Sequence, residues 1–184
     1  LEGGVIVEAG RHFTDKVHRG GAGFDVGDQI AFDVPFSSTP AVLATLNTYN
    51  NGKFMTSLTT NVMTSSFEIA QEALETDSTV AGEEIGWMAF EPNADAELNF
   101  IAGYAAADGS FDGVGQSGLT IDISGAGFME LPDLVVNVYG ENGVDGSYAR
   151  GAGVFTNTTQ TVYAEEDTKK DPEQNHNSEP FAWV

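Results

Sequence analysis

Short apolar runs separated by polar turns dominate the pattern along the chain. In the first half these runs are bounded by Gly, Pro, Asn or Ser and are rich in Val, Ile, Phe and Thr, which favours strands over helices. They predict strands at residues 29–34, 41–48, 54–62, 66–73 and 84–90. This series of short strands is typical of a small antiparallel β-sandwich.

The same order of features returns in the second half. Residues 36–46 and 128–138 both read Phe, three residues, Pro and then an apolar run. A polar, Gly-containing turn follows each run at a similar offset, as expected between antiparallel strands. We therefore predict an all-β fold with two small antiparallel β-sandwich modules in tandem, residues 1–92 and 93–184, divided in the polar segment 91–96.

Composition limits the possible partners. Lys and Arg total 7 against 28 Asp and Glu, which gives a net charge of −21. Such a surface repels nucleic acid and anionic lipid headgroups, so we expect neither as a partner. Dense carboxylates also keep a protein soluble at high ionic strength, as a marine or salt-adapted microbe requires. No window holds the about 20 continuous apolar residues of a spanning helix, so we expect no membrane insertion.

Cysteine is absent from the chain. Disulfides and thiolate metal sites are therefore excluded, and packing or bound ions must supply the stability of an exported protein. Export from a bacterial or archaeal cell is compatible with this composition. We expect a secreted or cell-surface location, with the chain forming one part of a larger protein.

Three features of the first module occur in the order found in a known family. They are the Phe-x3-Pro motif before an apolar strand, the segment Asn61-Val-Met-Thr-Ser-Ser-Phe67, and the closing segment Ile85-Gly-Trp-Met-Ala89 after an acidic loop. This order resembles the H-type lectin domain, especially the bacterial members found in large secreted proteins. The resemblance implies a six-stranded antiparallel sandwich, frequent assembly into trimers, and binding of sugars such as galactose derivatives in clefts between subunits.

Two departures from the family pattern concern the sugar site. Familiar sugar-binding members carry a Trp-His pair before the acidic loop and an Arg on an earlier strand. The first module has Ala73-Leu74 and Leu58 near those places, whereas the second has Arg150 on a comparable strand and Asp167 near the other place. We therefore expect that the family's galactosamine site is not intact, and the type of sugar stays open.

Polar turns and strands that carry aromatic residues are the candidate sugar contacts. An aromatic ring covers the C–H face of a sugar, while planar polar side chains bond its hydroxyls. The predicted carbohydrate-binding residues are Tyr49, Asn51 and Lys53 in the first module, and Tyr139, Tyr148, Arg150, His176 and Glu179 in the second. The alternative is an ordinary polar hairpin at each turn and a structural hydrogen bond at His176 and Glu179. Trp87 and Trp183 are assigned to the cores.

Other polar clusters have weaker chemical signals. The segment 20–25 matches the opening of a calcium-binding nonapeptide, and residues 108–112 with Asp145 offer further carboxylates, so a bound Ca²⁺ is compatible with the sequence. Solvation of acidic turns is the simpler interpretation, and we expect no obligatory cofactor. The basic patch at residues 11–19 has no zinc spacing, and we expect it to meet an acidic surface at a subunit interface.

The chain contains no nucleophile elbow, zinc-protease helix, phosphate loop or Cys nucleophile. We therefore expect no enzymatic activity, although the parent protein has room for a separate catalytic domain. The predicted function is binding of a glycan or polysaccharide by a non-catalytic module, with assembly into a homo-oligomer such as a trimer. The alternative is a structural or adhesive β-sandwich module without sugar binding.

Overall fold

The computed structural model describes residues 6–19, 23–24, 27–73, 81–95, 100–105, 118–140, 142–143, 146–166 and 176–184. The protein is all-β, as predicted, and its described strands form four small sheets. A single 3₁₀ turn at Ser124–Ala126 is the helical element within these ranges. No helix in the described part of the chain has the length and apolar character needed to cross a membrane.

Eight of the described strands belong to the first sandwich. They are β1 (Val7–Thr14), β2 (Val17–Arg19), β3 (Gly23–Phe24), β4 (Asp28–Ala31), β5 (Ala41–Leu46), β6 (Thr56–Thr60), β7 (Ser66–Glu72) and β8 (Glu83–Phe90). One sheet has the order β1-β8-β5, and the facing sheet has the order β3-β2-β7-β4 with β6 also paired to β7. The pairing of β2 with β7 is parallel, which the sequence pattern did not predict.

The other seven strands within the described ranges belong to the second sandwich. They are β9 (Asn93–Asp95), β10 (Phe100–Ala105), β11 (Leu119–Asp122), β12 (Val136–Val138), β13 (Ser147–Ala152), β14 (Thr159–Glu166) and β15 (Phe181–Trp183). One sheet has the order β12-β15-β10-β9 and the other the order β11-β14-β13. The polar segment 91–96 thus carries a short strand, β9, which pairs with β10. The described strand pairings all join strands of the same sandwich.

Alternating apolar positions give each sandwich its own core. In β8, Ile85, Trp87 and Ala89 point toward the first core, where Trp87 packs against Phe67 at a centroid distance of 5.1 Å. In β14, Val162 and Ala164 point toward the second core, where Trp183 is partly buried at the edge. This period of two is what the pleat of a half-buried strand requires.

A third core lies between the sandwiches, where the sheets containing β8 and β15 pack back to back. Its fully buried members are Ala41, Phe90, Ala102 and Ala182. Small side chains at three of these positions let the two sheets approach closely. Polar contacts reinforce the contact: the Asn137 amide donates to the carbonyl of Ala44, and the Gly140 N–H donates to the carbonyl of Thr59 at 2.8 Å.

Both sandwiches contain a Trp indole lying over a Gly on the neighbouring strand. Gly10 pairs with Trp87, and Gly103 pairs with Trp183. A Cβ built on either glycine would lie 2.6 Å from the Cζ2 atom of its Trp. Only glycine therefore fits at these positions without a shift of the indole.

We expect Gly10→Ala and Gly103→Ala each to lower the free energy of unfolding by about 1–3 kcal/mol, because the added methyl group overpacks the indole. Urea unfolding followed by Trp fluorescence measures this loss. Gly52→Ala is the matched control, since nothing lies within 4 Å of its built Cβ, and it should change stability by no more than about 0.5 kcal/mol. Equal stability of all three variants would contradict the packing described here.

Candidate functional site

A cleft of about 260 Å³ lies between the two sandwiches. Matching strand pairs form its walls, β5 and β6 from the first sandwich and β12 and β13 from the second. The lining residues are Ala44, Thr45, Leu46, Met55, Thr56, Ser57, Val136, Asn137, Val138, Ser147, Tyr148 and Ala149. Hydroxyl and amide groups thus stand among apolar side chains, a mixture suited to a small, uncharged polar ligand.

Glu72 fastens the two walls of this cleft to each other. Its buried carboxylate accepts a hydrogen bond from the Thr56 hydroxyl at 3.1 Å and another from the Ser147 N–H at 3.3 Å. His18 of β2 is also buried, with its Nδ1 atom 3.7 Å from the Glu72 carboxylate. One residue of each wall is therefore held by the same side chain, which fixes the spacing across the cleft.

Aromatic residues from both sandwiches meet at the rim. The ring of Phe54, which is 60% exposed, lies 6.2 Å from the ring of Tyr148 between centroids. Arg150 follows Tyr148 by two positions in β13, so both side chains project from the same face of the strand. We call Phe54, Tyr148 and Arg150 the rim cluster. Tyr148 lines the cleft, and Phe54 precedes Met55, which also lines it.

Arg150 forms an ion pair with Glu165 on the neighbouring strand β14. The guanidinium is 56% exposed, whereas the carboxylate is buried. An arginine has five N–H donors, so a pair with one carboxylate leaves donors for hydroxyl groups of a ligand. The strand register places Arg150 opposite Tyr163, and the counterpart in the first sandwich is Thr59, opposite Ile69. Leu58 instead corresponds to Ala149.

The other predicted sugar contacts of the first sandwich divide into exposed and buried residues. Tyr49 is 83% exposed, and Lys53 is half-buried in the same β5–β6 connection that carries Phe54. Asn51, in contrast, is buried, and its side-chain amide donates to Glu83 at 2.7 Å and to the carbonyl of Ala81. Its polar atoms hold the connection in place and are turned away from solvent.

Glu83 lies beneath that connection and holds it in place with hydrogen bonds. This buried carboxylate accepts hydrogen bonds from the Thr48 hydroxyl and from the backbone N–H groups of Asn50 and Asn51, at 2.8 and 2.9 Å. Burial alone raises the pKa of the Glu83 carboxyl, but these hydrogen bonds outweigh it, so the pKa lies below its ordinary value. They also explain why β5 ends at Leu46 rather than at residue 48 as predicted, because Thr48 turns toward Glu83.

Glu179 has the same role in the second sandwich. It is buried, and it accepts hydrogen bonds from the backbone N–H groups of Asn142 and Gly143, at 2.8 and 2.6 Å. The connection after β5 and the connection after β12 are therefore each held by a carboxylate at, or two residues before, the start of an interior strand of the inner sheet. The two sandwiches therefore resemble each other in their three-dimensional contacts as well as in the order of their sequence features.

Comparison with known proteins agrees with this architecture. Residues 28–90 match the H-type lectin domain. The matched range runs from the start of β4 to the end of β8 and confirms the resemblance found in the sequence. No curated protein and no solved structure matches the chain. The lectin match indicates carbohydrate binding in general. The matched family is non-catalytic.

His176 and Glu179 lie together beneath the second connection, in the interior of the second sandwich. His176 contacts Glu179 through Nε2 at 3.1 Å and Glu166 through Nδ1, and all three side chains are buried. Burial lowers the pKa of His176, but the hydrogen bonds and charges of Glu179 and Glu166 outweigh it and raise the pKa above its ordinary value. Both ring nitrogens face carboxylates, as suits an imidazolium.

Tyr139 occupies the core between the sandwiches rather than an open turn. Its ring lies 6.2 Å from that of Tyr104, and burial together with this neighbour raises the pKa of Tyr139 to about 12. The phenol therefore stays protonated at physiological pH. Of the predicted sugar contacts, Tyr148 lines the cleft, Arg150 lies two positions farther along β13, and Tyr49 and Lys53 lie on the connection that carries Phe54.

Sequence reasoning missed Phe54 and the cleft itself. The exposure of a Phe beside the Gly52-Lys53 turn is a weak signal, and nothing in the sequence relates it to Tyr148. The proposed calcium segments 20–25 and 108–112 and Asp145 lie wholly or mainly outside the described residues. Within the described residues, no group of three His, Asp or Glu side chains is arranged to hold a metal ion.

The basic patch has partners within the chain. His12 contacts Asp28 at 3.1 Å through Nε2, and Arg11 forms a longer ion pair with Glu84 at 3.6 Å. The Arg11 side chain remains 75% exposed. Contact of this patch with another subunit stays a prediction.

The buried His176 should make the second connection sensitive to pH. Because the folded-state pKa is raised, the protonated imidazole stabilises the fold fully below the unfolded pKa of about 6.5, and this contribution is lost as the pH rises through the folded pKa. We expect hydrogen-exchange protection of the Asn142 and Gly143 amides to fall as the pH rises above about 6.5. His176→Gln should lower the protection at pH 6 and remove most of this pH dependence.

The amides of Asn50 and Asn51 provide the internal control. They donate to Glu83, and the side chains of Asn50 and Asn51 do not titrate. After correction for intrinsic exchange rates, their protection should change little over the same range. A parallel decline in both connections would show that global unfolding, and not His176, governs the exchange.

Proposed function

We propose that this chain is a tandem pair of H-type lectin modules that binds a neutral glycan in the cleft between its two sandwiches. The observation that carries this proposal is the rim cluster, in which Phe54 of one sandwich and Tyr148 of the other meet beside a hydroxyl-lined cleft. The pair acts as a non-catalytic carbohydrate-binding module of a larger secreted or cell-surface protein or enzyme.

Counterpart contacts support assigning the second sandwich to the same family as the first. Each sandwich has a Trp lying over a Gly and a buried Glu that holds the connection following the edge strand. Three-dimensional matches of this kind persist when sequences diverge, since they depend on packing space and on backbone N–H groups. The second module is therefore a diverged copy, at residues 93–184.

The dimensions and charge of the cleft favour a neutral sugar unit. A volume of about 260 Å³ is below the range of drug-sized pockets and suits a single sugar unit or the end of a glycan chain. At a net charge of −21 the protein repels polyanions unless a cation intervenes. Arg150 supplies local positive charge and planar donors. We therefore expect the ligand to carry at most a single carboxylate, or to bind through a calcium bridge.

Glycan arrays followed by isothermal titration calorimetry with the best-binding glycan test this function. We expect Phe54→Ala, Tyr148→Ala and Arg150→Ala each to weaken binding by about 1–3 kcal/mol, because each removes a stacking or charge-assisted contact. Met63→Ala is the control, since this exposed side chain does not line the cleft. Titration with Ca²⁺ and with a chelator separates direct binding from calcium-bridged binding.

Two further variants distinguish the cleft from the exposed turn. Loss of affinity in Tyr49→Ala and Lys53→Ala, with the rim variants unchanged, would move the site to the β5–β6 connection. Absence of any binding on the array would favour the structural or adhesive alternative. Circular dichroism of every variant confirms that it remains folded.

A further inference from the structure

The packing between the two sandwiches is not reciprocal. Ala41 in β5 is 0% exposed and lies in the core between them, whereas its counterpart in the second sandwich, Asp133, is exposed. In the opposite direction, Ala102 in β10 is 3% exposed, whereas its counterpart Ala9 in β1 is exposed. The edge of the first sandwich thus lies on the face of the second, and among the described residues Asp133 and Ala9 do not make the reverse contact.

A head-to-tail contact of this type leaves one unused surface at each end of the chain. The second sandwich retains an edge like that which the first one buries, and we call it the free edge (Met129, Leu131, Asp133, Val135). The first sandwich retains a face like that which the second one buries, and we call it the free face (Ala9, Arg11, Phe13, Met88). The register of β1 and β8 places all four residues of the free face on the side away from the first core.

Both unused surfaces expose large apolar side chains. On the free edge Met129 is 92% exposed and Leu131 62%, while the counterpart positions in the first sandwich are Ser37 and Thr39. A groove of about 760 Å³ runs beside this edge, and two of its lining residues, Phe100 and Val184, also pack against the core between the sandwiches. On the free face, Phe13 is 62% exposed. Apolar exposure of this extent is typical of an interaction surface.

The charges on the two surfaces are complementary. Asp133 stands on the free edge, and Arg11, one of only 7 Lys and Arg residues in the chain, stands on the free face, where it pairs with Glu84 at 3.6 Å and keeps a side chain that is 75% exposed. In the existing contact, Ala41 packs near Ala182, whose neighbour across the strands is Tyr104. Asp133 is the counterpart of Ala41, and Arg11 is the counterpart of Tyr104. Repetition of the same contact therefore brings Asp133 next to Arg11.

We propose that the free edge of one chain docks on the free face of a second copy of the same chain, repeating between chains the contact already made within each chain. The apolar residues Met129, Leu131 and Val135 cover Met88 and Phe13 of the second copy. Arg11 of one copy and Asp133 of the other form an ion pair within that contact. The proposal concerns assembly and holds whether or not the cleft binds sugar.

Sedimentation velocity of the full chain over a range of concentrations tests this assembly. The wild-type chain should sediment above its monomer mass of 19.4 kDa at micromolar concentrations. Arg11→Asp and Asp133→Arg should each weaken association by about tenfold or more, because two like charges then meet in the contact. The double charge-swap variant should recover association, since the opposite charges face each other again.

Two further variants test whether a loss of association reflects the contact itself or a loss of folding. Asp33→Arg reverses an exposed charge outside both surfaces and should associate as the wild type does. A second variant, Met129→Ser with Leu131→Thr, installs the residues of the first sandwich and should also shift the chain toward monomer without loss of thermal stability. A wild-type chain that stays monomeric at all concentrations overturns the proposal. So do single charge reversals that leave association intact, or a double swap that fails to restore it.

Discussion

Close packing of small side chains between the inner sheets is the constraint on which the rest of the structure depends. Ala41, Ala102 and Ala182 let the backbones of the two sheets approach, and the edge strands β5 and β12 are brought side by side as a result. Those two strands form the walls of the cleft together with β6 and β13. A larger residue at any of these positions would separate the sheets and alter the cleft without touching its lining.

Buried carboxylates shape the polar parts of the molecule. In a chain with 28 acidic residues, most carboxylates serve solvation, but Glu72, Glu83 and Glu179 are buried and receive hydrogen bonds from backbone N–H groups. Such bonds are roughly twice as strong as those between neutral groups and satisfy donors that turns leave unpaired. Carboxylates thus bind water at the surface and hold backbone N–H groups in the interior. The sequence alone does not show which acidic residues are buried.

The strands and the lectin-domain resemblance of residues 28–90 could be predicted from the sequence because both depend on local order. Alternation of apolar residues located β4 to β8 within a few residues, and the Phe-x3-Pro and Ile-Gly-Trp-Met-Ala segments indicated the lectin domain. Sites that depend on contacts between the sandwiches could not be found in this way. Phe54 lies close to Tyr148 only after both sandwiches pack, and Asn51 looked like a surface amide because its partners Glu83 and Ala81 are distant in sequence.

The covalent connection between the sandwiches keeps the two walls of the cleft together when the protein is diluted. The strand β8 ends at Phe90 and β10 begins at Phe100, so a short segment that includes β9 joins the two walls of the cleft. Two walls joined by a short linker meet at an effective concentration on the order of millimolar, whatever the concentration of the protein. A binding cleft formed by separate subunits disappears once the protein is diluted below their dissociation constant. A cleft built within one chain persists at any dilution.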